Sequence, residues 1–148
     1  MSVQKEITEK MKEAMKAKDT VGLTALRALK SAFLLAKTEA GAGELTAEQE
    51  LKIIQKQVKQ RKDSAQVYIE QNRQDLADPE LAEAKVLEQF LPEALGEEEI
   101  AKVVAEVIAD TGAEGMKDMG KVMGIVSKKL AGQADGKTIS VIVKQKLS

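Results

Sequence analysis

Residues 116–148 read MKDMGKVMGIVSKKLAGQADGKTISVIVKQKLS and carry the pattern around which the chain is organised. If residues 116–131 are helical, successive side chains turn by about 100° around the axis. One face is then a continuous apolar seam, formed by Met116, Met119, Met123, Val126 and Leu130. Apolar residues spaced three and four apart predict a helix that packs this seam into a core.

Two other faces of the same predicted helix carry different residue types. Lys117, Lys121 and Lys128 fall nearly opposite the seam, and small residues lie between the two faces, at Gly120, Gly124, Ser127 and Ala131. A glycine inside a helix costs about 1 kcal/mol relative to alanine. Gly120 and Gly124 therefore call for a compensating role, and close approach of another backbone is the obvious one.

The overall composition predicts an all-α protein. The chain has 148 residues, of which 43% are hydrophobic but only 2% aromatic, and it contains two prolines. Such a composition favours helices over sheets. We expect an N-terminal helical subdomain of long helices over residues 1–91, a linker at 92–96, and a small C-terminal three-helix subdomain over 97–148.

The missing residue types exclude several kinds of chemistry. Without cysteine or histidine, the chain has no disulfide, no thiolate zinc site and no cysteine nucleophile, and it lacks the commonest general base. No Gly-x-x-x-x-Gly-Lys-Ser/Thr phosphate loop occurs. The sequence thus predicts no cofactor, no metal site and no catalytic centre of its own.

The chain contains no apolar run as long as a membrane span, and charges fall within its first turns. We therefore expect a cytoplasmic protein with no membrane partner.

Charge is segregated along the chain although the net charge is only -1. Basic residues number 14 against 10 acidic ones over 1–74, 2 against 12 over 75–115, and 7 against 2 over 116–148. This asymmetry predicts a basic end that meets phosphate, or else reflects simple patchiness.

Capping residues and breakers predict the helix boundaries. We expect Ser2 to cap the first helix, and Asp19 and Thr20 to cap a second helix over about 21–40. Thr46 and Gln49 should form a capping box for a third helix that runs to about 73. Gly41-Ala42-Gly43 should separate the second from the third. The apolar stripe of the second helix includes Leu23, Leu26, Leu29, Phe33, Leu34, Leu35 and Ala36.

The boundaries of the later helices follow from the same signals. Asp78-Pro79 should begin the fourth helix, residues 97–99 the next, and Thr138 the last. In the third helix, Arg61 interrupts an apolar seam. It must either emerge at an interface or pair with a carboxylate from residues 75–115, and we expect the pairing.

The basic C-terminal stretch is a candidate nucleic-acid surface. Its predicted members are Lys117, Lys121, Lys128, Lys129 and Lys137, which would neutralise phosphates, and Gly120 and Gly124, which would let a sugar-phosphate backbone approach. Few aromatics are available for base stacking, so recognition should depend on shape. The alternative is that the glycines permit tight packing within the three-helix core and the lysines are merely solvated.

Several motifs spread over the chain resemble the YqeY family. They are Lys59-Gln60-Arg61-Lys62-Asp63-Ser64, Asn72-Arg73-Gln74-Asp75-Leu76, Phe90-Leu91-Pro92 followed by Glu97-Glu98-Glu99-Ile100, and residues 116–124 with Ala134-Asp135-Gly136. The C-terminal part is also similar to the tail domain of the B subunit of the bacterial aspartyl/glutamyl-tRNA amidotransferase, a domain that contacts tRNA.

The resemblance implies a small helical protein in two halves and three functional hypotheses. The first is a non-catalytic tRNA-binding or tRNA-enzyme accessory protein, whose partners would be tRNA, not DNA, and an amidotransferase or aminoacyl-tRNA synthetase. The second is participation in glutamine-dependent transamidation, following the family's amidotransferase-like label. The third is a protein-interaction module in which the glycine groove receives a partner helix.

Overall fold

The computed structural model describes residues 2–39 and 43–148, and every regular element in these ranges is helical. The α-helices are α1 Val3–Ala17, α2 Thr20–Glu39, α3 Ala47–Glu70, α4 Gln74–Glu88, α5 Glu97–Thr111, α6 Met119–Lys129 and α7 Gly136–Leu147, with a 3₁₀ turn at Met116–Asp118. The predicted all-α class is confirmed. The chain divides into two compact units, residues 1–91 and 92–148.

The N-terminal unit contains α1 to α4 around one apolar core. The centre of that core is fully or almost fully buried and consists of Ile7, Ala25, Leu26, Leu29, Phe33, Ile54, Ala84 and Leu87. Helices α3 and α4 form a long antiparallel hairpin, and α2 packs against α1 and α4.

The starts of α1, α2 and α3 follow the predicted caps. The Ser2 side chain accepts a hydrogen bond from the Lys5 amide at 3.3 Å, and the Asp19 carboxylate accepts one from the Gly22 amide at 2.9 Å. The Thr46 capping box is complete, since the side chains of Thr46 and Gln49 each bond the other's backbone amide. The break predicted after α2 includes Gly41 and Ala42, which lie outside the described residues.

The predicted start of α4 at Asp78-Pro79 is wrong. The helix begins at Gln74, and Pro79 lies inside it. Because the Arg73 carbonyl already accepts from the amides of Leu76 and Ala77, the first turn forms upstream of the proline. The lost Pro79 amide is offset by burial of Ala77, Ala84 and Leu87 on the same helix. Helix α3 ends earlier than predicted, before Asn72, which is left-handed at φ 60°.

The apolar stripe predicted for α2 is too wide. Leu26, Leu29 and Phe33 are buried, but Leu34 and Leu35 are 57% and 59% exposed. These two leucines lie one and two residues beyond Phe33, which turns them away from the core by about 100° and 200° of helix rotation. On α1, Met15 is likewise exposed, whereas Ile7 is buried.

Arg61 pairs with a carboxylate of the acidic segment, as predicted. Its Nε lies 3.8 Å from Oε2 of Glu83, and both side chains are largely buried between α3 and α4. Arg61 also donates to the backbone carbonyl and the side chain of Gln57. Burial raises the pKa of the Glu83 carboxyl above its ordinary value, and the Arg61 charge opposes that rise.

The C-terminal unit is a three-helix bundle of α5, α6 and α7. Its core consists of Ile100, Val104, Val107, Val122, Val126, Leu130, Ile139, Ile142, Val143 and Leu147. Residues preceding α5 are tied to the α6–α7 connection, because the Leu95 amide donates to the Gln133 carbonyl and the Gln133 side chain donates to the Glu93 carbonyl.

Two details of this unit differ from the predictions. Residues 116–118 form a 3₁₀ turn, so Met116 is out of phase with α6 and 48% exposed, while Val122, which was not assigned to the seam, is fully buried. The cap of α7 is Asp135, whose carboxylate accepts from the Thr138 amide at 2.6 Å. Thr138 is therefore inside the helix rather than its cap.

Candidate nucleic-acid interface

The solvent face of α6 brings together Lys121, Gly124 and Lys128. All three are exposed, and their spacing of three, four and seven residues places them within about 60° of one another around the axis. The two lysine positions are separated by about 10 Å along the helix. The buried Val122 and Val126 fix this orientation, because they hold the opposite side of α6 in the core.

The glycines of α6 face open space. A Cβ atom added at Gly120 or Gly124 would meet no heavy atom within 4 Å, apart from the helix's own nearby backbone. The alternative that these glycines permit tight packing within the three-helix core is therefore wrong. Neither glycine has a positive φ, so backbone conformation does not require glycine either.

Lys117 lies just before α6, on the 3₁₀ turn, and is exposed. The turn is held by its neighbour, because the Asp118 amide donates to the Gly115 carbonyl and the Asp118 carboxylate accepts from the Glu114 amide at 3.0 Å. The Asp118 side chain thus closes the preceding loop instead of capping α6. Lys117 is anchored in position but does not continue the helical lysine stripe.

The other two predicted lysines are exposed at the ends of helices. Lys129 is the last residue of α6 and lies about 100° around the axis from Lys128. Lys137 is in the first turn of α7. Sequence reasoning missed Lys144, which is exposed and lies seven residues after Lys137, hence on the same face of α7. The seven-residue spacing is visible in the sequence and could have indicated Lys144. Val141, which is 49% exposed, lies between the two lysines.

No predicted site lysine is neutralised by an ion pair within residues 2–39 and 43–148. The C-terminal unit contains 8 basic and 9 acidic residues. All charged side chains of α6 and α7 are basic, whereas the first turn of α5 is Glu97-Glu98-Glu99. Charge is therefore separated by helix. Exposed, unpaired lysines are suited to replacing the counterions of a polyanion.

The described part of the chain contains no group of three or more acidic side chains placed to hold a metal ion. Within the same residues, no helix combines the length and apolar character needed to cross a membrane.

Similarity to known proteins extends over nearly the whole chain. The model of the family described as "Yqey-like protein" matches residues 4–147. A protein of Pyrenophora tritici-repentis named "Altered inheritance of mitochondria protein 41, mitochondrial" is 31% identical over 127 residues, which are 84% of this chain and 68% of that protein.

A second relative is the E subunit of the glutamyl-tRNA(Gln) amidotransferase of Thermococcus gammatolerans, 38% identical over 73 residues. These residues are 47% of this chain but only 12% of the relative, so the similarity concerns a small part of that protein. The resemblance expected from the sequence was to the B subunit of an amidotransferase, whereas this relative is an E subunit.

Proposed function

Because the chain belongs to the YqeY-like protein family, we propose that it is a non-catalytic tRNA-binding protein that serves a tRNA-modifying or tRNA-charging enzyme. The observation that carries this proposal is the open face of α6. Two exposed lysines flank a glycine that nothing in the unit covers, and the Thermococcus relative is named for an amidotransferase of glutamyl-tRNA(Gln).

The chemistry of this face suits a phosphate backbone better than a base. Lys121 and Lys128 provide positive charge, and the missing side chain at Gly124 lets a bulky backbone come close to the helix. The described residues of the C-terminal unit contain no aromatic side chain for stacking. Recognition would therefore depend on the shape and charge of folded RNA, as is common for base-paired RNA.

Direct binding measurements test the proposal. The unmodified protein should bind unfractionated tRNA at low salt, and the combined Lys117→Glu, Lys121→Glu and Lys128→Glu changes should abolish binding. A matched control changes Lys5, Lys12 and Lys16, which are exposed on one face of α1, to glutamate and so alters net charge equally. Equal loss in both triple variants, or no binding by the unmodified protein, would contradict the proposal.

The salt dependence gives a second readout of the same contacts. Each neutralised phosphate contributes about 0.7 to 0.9 to the slope of log affinity against log salt. Losing three contacts should flatten the slope by about 2 to 3, whereas the α1 control should keep the slope of the unmodified protein.

The match to an amidotransferase component also favours a second role, in glutamine-dependent transamidation. In that role the chain would act beside amidotransferase subunits by holding the tRNA. Adding the purified protein to a transamidation reaction should then raise the rate at limiting tRNA, and the α6 triple variant should not. An unchanged rate would rule out this role without affecting simple tRNA binding. A cytoplasmic location fits either role and stays a prediction.

A further inference from the structure

The first two helices carry an apolar surface that the tRNA proposal does not use. The three most exposed large hydrophobic side chains in the described chain are Met15 on α1 and Leu34 and Leu35 on α2, each between 57% and 59% exposed. Single exposed apolar residues such as Met15 are ordinary on protein surfaces, whereas the adjacent Leu34 and Leu35 form a small apolar cluster on α2, which indicates a contact surface.

A groove runs between α1 and α2 beside this cluster. A pocket in it is lined by Gln4, Ile7, Thr8, Lys30, Phe33 and Leu34. Ile7 and Phe33 are buried and supply its apolar floor, so an apolar side chain entering from outside would meet carbon on several sides.

Helical spacing defines the two rows that border the groove. The α1 row is Gln4, Thr8, Met11 and Met15, and the α2 row is Leu23, Arg27, Lys30 and Leu34. Each row spans eleven residue steps, about 16 Å, which equals three turns of a helix. The two rows, which continue beyond the pocket, are thus long enough to contact a short helix lying along them.

The charged side chains of the two rows have one sign. Arg27 and Lys30 are exposed in the α2 row, neither row contains a carboxylate, and neither cation has an ion pair within the described residues. The ligand that complements this surface has an apolar stripe with acidic residues directly beside it.

The groove is also held in place at one end. The Gln4 side chain accepts a hydrogen bond from Lys37 of α2 at 2.7 Å and donates one to Glu50 of α3 at 3.2 Å. These bonds tie the start of α1 to two other helices, so the pocket is formed before any ligand binds. Binding therefore loses less conformational entropy in ordering the protein.

We propose that the α1–α2 groove docks an acidic amphipathic helix of a partner protein. An apolar side chain of that helix enters the pocket above Ile7 and Phe33, and carboxylates beside its apolar stripe pair with Arg27 and Lys30. This is the helix-in-groove mode of recognition. RNA would gain nothing from the exposed leucines, and a flat membrane surface would not fill a recessed pocket. The proposal goes beyond tRNA binding and does not depend on it.

A designed peptide tests the chemistry directly. The probe is a fluorescein-labelled helical peptide of about 15 residues with leucine every three to four positions and glutamate at the positions beside the leucine stripe. Fluorescence anisotropy should show that it binds, and a peptide with lysine in place of glutamate should bind about tenfold or more weakly. Higher salt should weaken binding of the glutamate peptide without abolishing it, because the apolar contact persists.

Two variants of the protein locate the binding surface. The pair Leu34→Ser and Leu35→Ser and the pair Arg27→Glu and Lys30→Glu should each weaken peptide binding at least tenfold. All four side chains are exposed, so thermal unfolding should change little. The control pair Lys121→Glu and Lys128→Glu makes the same charge change on α6 and should leave peptide binding intact.

Three outcomes would overturn the proposal. The first is equal binding of the glutamate and lysine peptides, or peptide binding that survives both groove variants. The second is binding to phosphatidylglycerol vesicles without binding to the peptide, which would make the surface a membrane contact. The third is a dimer in sedimentation equilibrium that Leu34→Ser disrupts, which would make the occupant a second copy of the chain.

Discussion

Replacing Gly124 by alanine should stabilise the C-terminal unit. Gly124 lies in the interior of α6 with an ordinary helical φ, and a Cβ atom there would contact nothing within 4 Å beyond the local helix backbone. The substitution therefore introduces no clash and recovers most of the helix-propensity difference, about 0.5 to 1 kcal/mol. For a unit of this size melting on its own, that gain corresponds to a rise in Tm of about 2 to 8 °C.

The assay pairs stability with binding. Urea and thermal unfolding of Gly124→Ala and Gly124→Leu give the stability term, and tRNA anisotropy at low salt gives the binding term. Leucine has nearly the helix propensity of alanine, so both variants should be stabilised, but the larger side chain projects from the face where the RNA backbone would approach. We expect Gly124→Leu to bind tRNA at least tenfold more weakly than Gly124→Ala.

One result would refute the expected stability gain, and another would refute the expected role in RNA binding. Destabilisation by Gly124→Ala would mean that the glycine is required within the fold. Undiminished tRNA binding by Gly124→Leu would mean that the glycine does not serve close approach of RNA, and loss of a protein partner instead would favour an interaction module.

Two further predictions concern the N-terminal unit. Thr46→Ala removes one half of the capping box of α3 and should cost about 1 kcal/mol in urea unfolding, whereas an unchanged midpoint would show that the cap is not needed. Arg61→Met removes the positive charge beside the largely buried Glu83 carboxylate, so the pKa of Glu83 should rise further. A raised pKa in the folded state gives stability that is greatest below the ordinary carboxyl pKa and is lost as pH rises through the folded value. The loss caused by Arg61→Met should thus be larger at pH 7 than at about pH 4, and equal losses at both pH values would contradict the assigned pairing.

Most of the fold could be predicted from local signals. Ser2, Asp19 and the pair Thr46 and Gln49 cap helices as expected, because each cap is settled by residues three positions apart. The pairing of Arg61 was predictable because a cation in an apolar seam needs a countercharge. The identity of its partner, Glu83, depends on how α3 and α4 align, and helix periodicity carries no such information.

The errors arose where tertiary contact outweighed a local rule. Pro79 is a strong sign of a helix start, yet burial of neighbouring α4 residues offsets its missing amide. Leu34 and Leu35 were expected in the core but are exposed, because hydrophobicity alone does not show which side of a helix packs against another helix. Met116 was assigned to the seam because the sequence does not distinguish a 3₁₀ turn from the first turn of α6.

The sequence predicted the residue types of the candidate site, but it did not predict whether another helix covers them. The sequence placed Lys121, Gly124 and Lys128 on related faces, and the structure places them in solvent together. Whether Gly124 was covered by another helix depended on packing, and only the structure resolved it. Lys144 was not predicted, although its seven-residue spacing from Lys137 places both lysines on one face of α7.

The most direct test of the account is amide-resolved NMR of the ¹⁵N-labelled protein titrated with tRNA. The amides of Gly120 and Gly124 fall in the distinctive glycine region of the spectrum and report on the proposed contact face. We predict that the largest shifts at low salt occur from Lys117 to Lys129 and disappear as salt is raised. Salt-sensitive shifts confined to residues 2–39 and 43–91, with α6 unaffected, would contradict the central claim.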